Sequence, residues 1–184
     1  MDLAAAITAG GASRRFGADK ARHLWQGRTL LEHVAGSLEM CSPKLLIAPP
    51  GKYDLPSWRT IPDGRPGEGP LAGLESALSE VPGWLAFAAV DLPHLTPLFW
   101  QLLARQRCHH ALAVCPLDHD GRPQPLAALY HANLLPAVSR LLDSGERRLR
   151  EVLTASETCF LPWPALADLG ASLFHNVNYP ADAP

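Results

Sequence analysis

This chain of 184 residues lacks several features that would fix a functional class. No stretch approaches the roughly 18 consecutive apolar residues typical of a membrane-spanning helix, and the first residues lack the basic flank of a signal peptide. The formal net charge is only -2, which gives no general affinity for nucleic acid. We therefore expect a globular protein without a membrane or nucleic-acid partner.

Cysteine is scarce as well. Cys41, Cys108, Cys115 and Cys159 are scattered and form no C-x-x-C pair. In a chain of this size they are typical of reduced, structural thiols, which predicts a cytoplasmic location. A zinc site around Cys108 and Cys115 is disfavoured, because the spacing of the nearby histidines matches no standard site and residues 111–115 are typical of a buried strand.

Two common nucleotide-binding motifs are missing, the P-loop and the dinucleotide-binding G-x-G-x-x-G. The apolar run of residues 3–7 leads instead into the sequence TAGGASRRFGADK at residues 8–20. Glycines let backbone N–H groups approach an anion closely, and the arginines and lysine that follow can neutralise phosphate oxygens. The segment therefore predicts a loop that binds a polyphosphate.

Strand and helix patterns alternate along the chain. Short apolar runs predict strands, whereas the capping box from Thr29 to Glu32, Pro70 and the Thr96-Pro97 pair predict helix starts. The predicted strands are 3–8, 45–48, 84–90, 111–115, 126–130, 158–161 and 174–177, and the predicted helices are 31–38, 70–78, 97–106, 134–142 and 147–153. This alternation predicts a single α/β domain over residues 1–184: a three-layer, Rossmann-like sandwich whose mostly parallel sheet carries helices on both faces.

Asp91 directly follows the most apolar predicted strand, 84–90. In such sheets ligands bind at the carboxyl ends of the strands, so Asp91 and the 8–20 loop are expected to face one crevice. Magnesium is commonly held by one or two carboxylates together with substrate phosphates. The alternative is that Asp91 only caps the following turn. The phosphate loop at the same edge favours the metal site.

Together these motifs resemble those of nucleotidyltransferases with a GT-A-like fold, and the Gly-Gly pair with the Asp-Lys ending resembles the molybdenum cofactor guanylyltransferases most closely. Similar segments follow in the same order: GPLAGL at 69–74, VDLP at 90–93, RPQPL at 122–126, GERR at 145–148 and NVNYP at 176–180. The resemblance covers nearly the whole chain. Each motif is weak by itself, but their shared order makes the resemblance specific.

The resemblance implies a set of site residues. Nucleotide-binding residues would be Thr8, Ala9, Gly10, Gly11, Lys20, Asp63 and Asp91. Catalytic residues would be Arg15, Lys20 and Asp91, with Asp91 as the ligand of Mg²⁺. Weaker candidates for binding the acceptor are Gln124, Arg147, Asn176 and Asn178. For these four, turn formation or simple exposure to solvent is the alternative. The chain also departs from the family pattern, with Thr8 in place of leucine, Ala48 in place of asparagine and Tyr179 in place of threonine.

The implied reaction is transfer of GMP from GTP to molybdopterin, which forms the guanine dinucleotide and releases pyrophosphate. The attacking phosphate is already anionic, so the reaction needs alignment and charge neutralisation rather than a general base. The implied partners are GTP, molybdopterin, an accessory GTP-binding protein and the molybdoenzymes that receive the product, and we expect a monomer. Two alternatives stay open: a related enzyme that uses CTP or a sugar phosphate acceptor, and a non-catalytic nucleotide-binding protein.

Overall fold

The computed structural model describes residues 2–9 and 19–177. Within those ranges the strands are β1 (Ala4–Thr8), β2 (Leu24–Trp25), β3 (Arg28–Thr29), β4 (Lys44–Ile47), β5 (Arg59–Ile61), β6 (Trp84–Ala89), β7 (Ala113–Pro116), β8 (Ala127–His131) and β9 (Thr158–Leu161). The α-helices are α1 (Leu30–Ser37), α2 (Pro70–Leu78), α3 (Pro97–Arg105), α4 (Leu135–Asp143) and α5 (Arg150–Thr154). Across these two ranges, no helix has the length and apolar character needed to cross a membrane.

Seven of the strands form one sheet in the order β5-β4-β1-β6-β8-β7-β9. The pairs β4–β5, β1–β4, β1–β6 and β7–β9 are parallel, and β8 runs antiparallel to both of its neighbours, β6 and β7. Strands β1 and β6 lie inside the sheet, which explains why both are almost wholly apolar. The predicted mostly parallel sheet is confirmed.

Helices cover both faces of the sheet. Ala5 and Ile7 of β1 belong to the core that contains α1 and α3, whereas Ala4 and Ala6 belong to the core that contains α2, α4 and α5. Successive side chains of a strand point to opposite faces, so a strand between two helical layers must be apolar at every position. The three-layer arrangement expected from the sequence is therefore present.

The helix starts are set by the local signals in the sequence. The Thr29 hydroxyl accepts a hydrogen bond from the N–H of Glu32 at 3.2 Å, and the Glu32 carboxylate accepts one from the N–H of Thr29 at 2.7 Å, which completes the predicted capping box. Thr96 caps α3 by accepting from the N–H of Phe99 at 3.3 Å. Such a cap typically stabilises a helix by about 1 kcal/mol.

Two predicted elements differ from the structure. The predicted strand 174–177 is wrong: residues 171–174 form a turn and 175–177 are irregular. The buried residues there, Leu173 and Val177, are four apart, which is not the alternation of a strand. The predicted helix 147–153 begins later, at Arg150, because the Glu146 carboxylate accepts from the N–H groups of Arg147 and Arg148, both at 2.8 Å, and holds them in a turn.

The β2–β3 hairpin and the edge strand β5 carried no strong signal in the sequence. The hairpin turns through Gln26 and Gly27, with φ values of 49° and 80°. Two positive φ values suit a two-residue hairpin, but glutamine is an uncommon residue there. Strand β5 has only three residues, two of them polar.

Candidate active site

The carboxyl ends of β4, β1 and β6 meet at one edge of the sheet. Thr8, the last residue of β1, pairs with Ile47 on one side and with Ala89 on the other. Just beyond the strands, the N–H of Ala9 donates to the Ile47 carbonyl at 3.1 Å, and the N–H of Val90 donates to the Thr8 carbonyl at 3.3 Å. The chain after β1 and the chain after β6 therefore leave the sheet side by side.

Lys20 and Asp91 lie together at this edge. Lys20 Nζ is 3.1 Å from Asp91 Oδ2, although the two residues are 71 positions apart in the chain. Their side chains are 14% and 20% exposed, so the pair is mostly shielded from water but reachable. The structure thus brings together the end of the predicted phosphate loop and the predicted metal ligand.

The Asp91 carboxylate keeps one oxygen without a donor. Among the described residues nothing donates a hydrogen bond to Oδ1, although that atom is buried. The only donor to Oδ2 there is Lys20, so no backbone N–H is capped by this side chain. A buried carboxylate oxygen without a partner is costly unless a ligand binds it. This arrangement argues against the turn-cap interpretation and fits a cation ligand.

In the part of the chain that the structure describes, Asp91 belongs to no cluster of metal-ligating side chains. In the ranges 2–9 and 19–177 no group of three or more histidine, cysteine, aspartate or glutamate residues is placed to hold a metal ion. Magnesium bound through one protein carboxylate, substrate phosphates and water does not need such a group. The residues present fit that mode of binding.

Thr8 is engaged in packing as well as in the sheet. A Cβ atom added to Gly73 would lie 3.3 Å from Thr8 Oγ1, so a larger residue there would require Thr8 or α2 to shift by a few tenths of an ångström. The Thr8 carbonyl accepts from Val90. Ala9 is buried. Both residues therefore fix where the chain leaves β1.

Several predicted site residues lie outside the described part of the chain. These are Gly10, Gly11, Arg15 and Asn178. Their flanking residues are described: Ala9 and Asp19 on either side of the 10–18 segment, and Val177 before Asn178. The N–H of Val177 donates to the Asp91 carbonyl at 3.1 Å, which brings the closing motif to the Asp91 edge. Asn176, next to it, is exposed.

Asp63 follows β5, two strands away from β1 at the same edge. Its Oδ1 accepts from the N–H of Arg65 at 3.0 Å, which shapes the turn. Burial raises the pKa of Asp63; the hydrogen bond from Arg65 lowers it, and the charges of Glu68 and Glu75 raise it further, so the net shift is upward. Asp63 therefore lies at the carboxyl edge of the sheet, with β4 between its strand and β1.

Gln124 lies in the loop between β7 and β8. The Ala89 N–H donates to the Leu126 carbonyl at 2.9 Å, which puts this loop beside the end of β6 and therefore at the edge that carries Asp91. The Gln124 amide donates to Asp118 Oδ2 at 2.9 Å. Its side chain is thus held within its own loop but near the crevice.

Arg147 is tied down by neighbours. Its guanidinium forms an ion pair with Glu68 Oε1 at 2.9 Å and donates to the carbonyls of Leu142 at 2.9 Å and Glu146 at 2.7 Å. These contacts connect the turn after α4 to the loop before α2. Binding an acceptor would require Arg147 to exchange the Glu68 carboxylate for an acceptor anion.

A cluster around Tyr53 was not predicted. The Tyr53 hydroxyl lies 2.8 Å and 3.0 Å from the two oxygens of Asp19 and 3.4 Å from the carbonyl of Ala9, and Lys52 Nζ is 3.1 Å from Asp19 Oδ2. Asp19 also caps the 3-10 turn Lys20–Arg22 by accepting from Ala21. Asp19 belongs to the 8–20 motif, which the sequence analysis identified. Tyr53 lies 34 positions away in an irregular loop, where no local sequence pattern indicates a functional role.

Comparison with known proteins is consistent with this geometry. A family model described as a MobA-like NTP transferase domain matches residues 5–159. A probable molybdenum cofactor guanylyltransferase from Deinococcus radiodurans is 55% identical over 184 aligned residues, covering 99% of this chain and 92% of the relative. One from Chloroflexus aggregans is 38% identical and covers 84% of this chain and 78% of the relative.

Solved structures of other proteins share the fold of this chain. Molybdopterin-guanine dinucleotide biosynthesis protein A from Archaeoglobus fulgidus superposes with a TM-score of 0.79 at 26% identity, covering 100% of this chain and 95% of that one. A 2-C-methyl-D-erythritol 4-phosphate cytidylyltransferase from Thermus thermophilus has a TM-score of 0.72 at 18% identity over 100% of this chain and 96% of that one, which shows a shared fold alone. On the extent of these matches, the chain belongs to the family of MobA-like NTP transferase domains.

Proposed function

We propose that this protein transfers GMP from GTP to molybdopterin and releases pyrophosphate. The observation that carries the proposal is the pairing of Lys20 with Asp91 at the carboxyl edge of the sheet, with Asp91 Oδ1 buried and without a donor among the described residues. The names of the two relatives that are 55% and 38% identical supply the guanylyl group and the acceptor.

The chemistry requires charge neutralisation and alignment. A phosphate oxygen of the acceptor attacks the α-phosphorus of GTP, and the bond from that phosphorus to the oxygen bridging the β-phosphorus breaks, so pyrophosphate leaves. The attacking oxygen is already anionic, and no residue needs to remove a proton. Lys20, which is within reach of Asp91, stabilises charge on the phosphates, and Arg15 is proposed to do the same.

Asp91 is the proposed protein ligand of Mg²⁺. When bound, the ion would stabilise negative charge on the phosphate oxygens as the bond to pyrophosphate breaks. Thr8 and Ala9 fix the direction in which the chain enters the 10–18 segment, whose Gly10 and Gly11 amides are proposed to bind the triphosphate. We propose Asp63 as a further nucleotide contact.

The acceptor is proposed to bind between the β7–β8 loop and the segment around Val177. Both approach the end of β6, since Leu126 accepts from Ala89 and Val177 donates to Asp91. Gln124, Arg147, Asn176 and Asn178 are the side chains proposed to contact it. Of the described three, Arg147 is the one whose charge is already paired with a carboxylate, that of Glu68.

We propose that residues 1–184 act as one nucleotidyltransferase domain, since the strands that carry both halves of the site belong to one sheet. A monomeric state, a cytoplasmic location, an accessory GTP-binding protein and molybdoenzymes that receive the product stay predictions from the sequence.

A binding panel tests the nucleotide assignment. Purified protein is titrated with GTP, ATP, CTP and UTP in the presence of Mg²⁺, and the shift in melting temperature is recorded. A ligand that binds the folded state raises its stability by RT ln(1 + [L]/Kd), so at equal concentrations GTP, as the nucleotide expected to bind most tightly, should stabilise most. Pyrophosphate release is then measured with molybdopterin present. Equal stabilisation by all four nucleotides would exclude a guanine-specific site, and binding without release would favour the non-catalytic alternative.

A further inference from the structure

Tyr53 lies between the two ends of the predicted triphosphate-binding segment 10–18. Ala9 and Asp19 are the described residues that flank this segment. The Tyr53 hydroxyl is 3.4 Å from the carbonyl of Ala9 and 2.8 Å and 3.0 Å from the carboxylate oxygens of Asp19. Tyr53 itself comes from the loop between β4 and β5. One side chain from a neighbouring loop therefore contacts both ends of the segment.

The hydroxyl is a single donor among three acceptor oxygens. Burial and the neighbouring Asp19 carboxylate raise the pKa of Tyr53, although Lys52 lowers it, so the phenol keeps its proton at neutral pH. Burial raises the pKa of Asp19, but the hydrogen bonds from Tyr53 and Lys52 outweigh it and the net shift is downward, so Asp19 stays ionised. Removing the hydroxyl would take away the one donor that the Asp19 carboxylate and the Ala9 carbonyl share.

Two cations hold the phenol ring in place. Lys52 Nζ lies 4.9 Å from the centre of the Tyr53 ring and also pairs with Asp19 Oδ2 at 3.1 Å. The guanidinium of Arg22 lies 5.8 Å from the ring centre and donates to the Lys52 carbonyl. Cations over an aromatic face are attracted by its π-electrons. The ring is thus fixed from the β4–β5 loop and from the turn that follows Asp19.

We propose that Tyr53 is a positioning residue for the nucleotide site: its hydroxyl ties Ala9, which follows β1, to Asp19, which precedes Lys20. Lys20, the next residue after Asp19, is placed on Asp91 by the same contact. Tyr53 does not touch the reacting atoms. The nucleotide part of this inference rests on the proposed function, whereas the tie between the two flanking residues does not.

The test uses Tyr53→Phe, which removes only the hydroxyl. Trypsin cleaves after Arg14 and Arg15 within the segment, so the rate at which peptides starting at Arg15 or Phe16 appear reports on the segment directly, with no nucleotide present. We expect Tyr53→Phe to raise this rate about three- to tenfold, the range expected for the loss of one hydrogen bond. We expect the Kd and KM for GTP to rise by a similar factor, with the KM for molybdopterin unchanged.

Tyr130→Phe is the matched control. Its hydroxyl donates to the Pro125 carbonyl at 2.8 Å, so the variant loses one tyrosine hydrogen bond that involves neither Ala9 nor Asp19. It should lower the melting temperature without speeding cleavage after Arg14 or Arg15. Lys52→Met, which keeps the hydroxyl but removes the ion pair with Asp19, should give a smaller rise in cleavage than Tyr53→Phe.

The outcomes separate the tie from the proposed function. Wild-type cleavage rates and wild-type GTP affinity in Tyr53→Phe would overturn the inference, as would an equal rise in cleavage in Tyr130→Phe. If the wild-type protein itself fails to bind GTP, the proposed function and the nucleotide part of the inference are refuted, and the trypsin rates still judge the tie. Should Tyr53→Phe not fold, Asp19→Asn takes its place, because an amide oxygen is a weaker acceptor than a carboxylate and should give a smaller rise in the same direction.

Discussion

Replacing Asp91 with asparagine separates its role as a metal ligand from any structural role. The two side chains are nearly equal in size, and the amide oxygen of the Asp91→Asn variant would still accept from Lys20 Nζ, which lies 3.1 Å from Asp91 Oδ2 in the wild type. Neither Asp91 oxygen accepts from a backbone N–H among the described residues, so the change breaks no cap. The melting temperature is expected to change little.

The effect on turnover should be much larger. Within the described ranges no group of three or more histidine, cysteine, aspartate or glutamate residues offers the ion another site. Metal-assisted stabilisation of the transition state is typically worth several kcal/mol, and about 3 kcal/mol corresponds to roughly a hundredfold loss in kcat. Without Mg²⁺, GTP should bind Asp91→Asn at least as tightly as it binds the wild type, because a carboxylate no longer faces the triphosphate.

The assay is dinucleotide formation at saturating Mg²⁺ and GTP, with circular dichroism as the test of folding. Asp168→Asn is the matched control: Asp168 is exposed in a 3-10 turn and is not among the residues assigned to the site, so this variant should retain full activity. A folded Asp91→Asn protein with more than about a third of wild-type kcat, a loss below about 0.7 kcal/mol, would refute the metal assignment and the mechanism built on it.

Three further substitutions test other parts of the site and fold. Lys20→Met should fold normally but lower kcat/KM for GTP about 10- to 150-fold, since a hydrogen bond to a charged group is worth about 1.5–3 kcal/mol; a wild-type value in steady-state kinetics would remove Lys20 from the phosphate site. Gly73→Ala places a methyl group 3.3 Å from Thr8 Oγ1, and this crowding opposes the roughly 1 kcal/mol that alanine gains over glycine inside a helix. In urea unfolding the substitution should therefore be about 1 kcal/mol more favourable in a Thr8→Ala background than in the wild type, and an equal effect in both backgrounds would mean that α2 can shift. Hydrogen bonds from the Arg148 side chain and from nearby backbone N–H groups lower the pKa of Glu146 from 4.5 to about 2, so its contribution to stability is present above pH 4.5 and is lost as the pH falls toward 2. Glu146→Gln should flatten the acid-unfolding curve in that window, and an unchanged curve would contradict this origin.

The fold was largely predictable because its main signals are local. The capping box at Thr29 and the apolar run of β6 each depend on a few neighbouring residues, and both appear as expected. The predicted strand 174–177 failed because its apolar residues pack against the core through turns and pair with no strand among the described residues. Burial alone does not distinguish such a segment from a strand.

The candidate site was predictable only in part. Lys20 and Asp91 could be placed together because each follows a strand of one parallel sheet, and topology brings such ends to one edge. Tyr53 could not be found from the sequence, because it reaches Ala9 and Asp19 only through the path of the loop between β4 and β5. That loop has no periodic pattern in the sequence. The ion pair of Arg147 with Glu68 depends in the same way on the packing of two distant turns.

The central claim is that this chain joins GMP to molybdopterin, and the most direct measurement is the product itself. Purified protein is incubated with Mg²⁺, molybdopterin and either GTP or CTP, and the dinucleotide and pyrophosphate are quantified by mass spectrometry and an enzyme-coupled assay. The account predicts equal amounts of guanine dinucleotide and pyrophosphate, formed at least about tenfold faster than the cytosine product, a difference of about 1.4 kcal/mol. Pyrophosphate release without dinucleotide, or a cytosine product formed as fast as the guanine product, would contradict it.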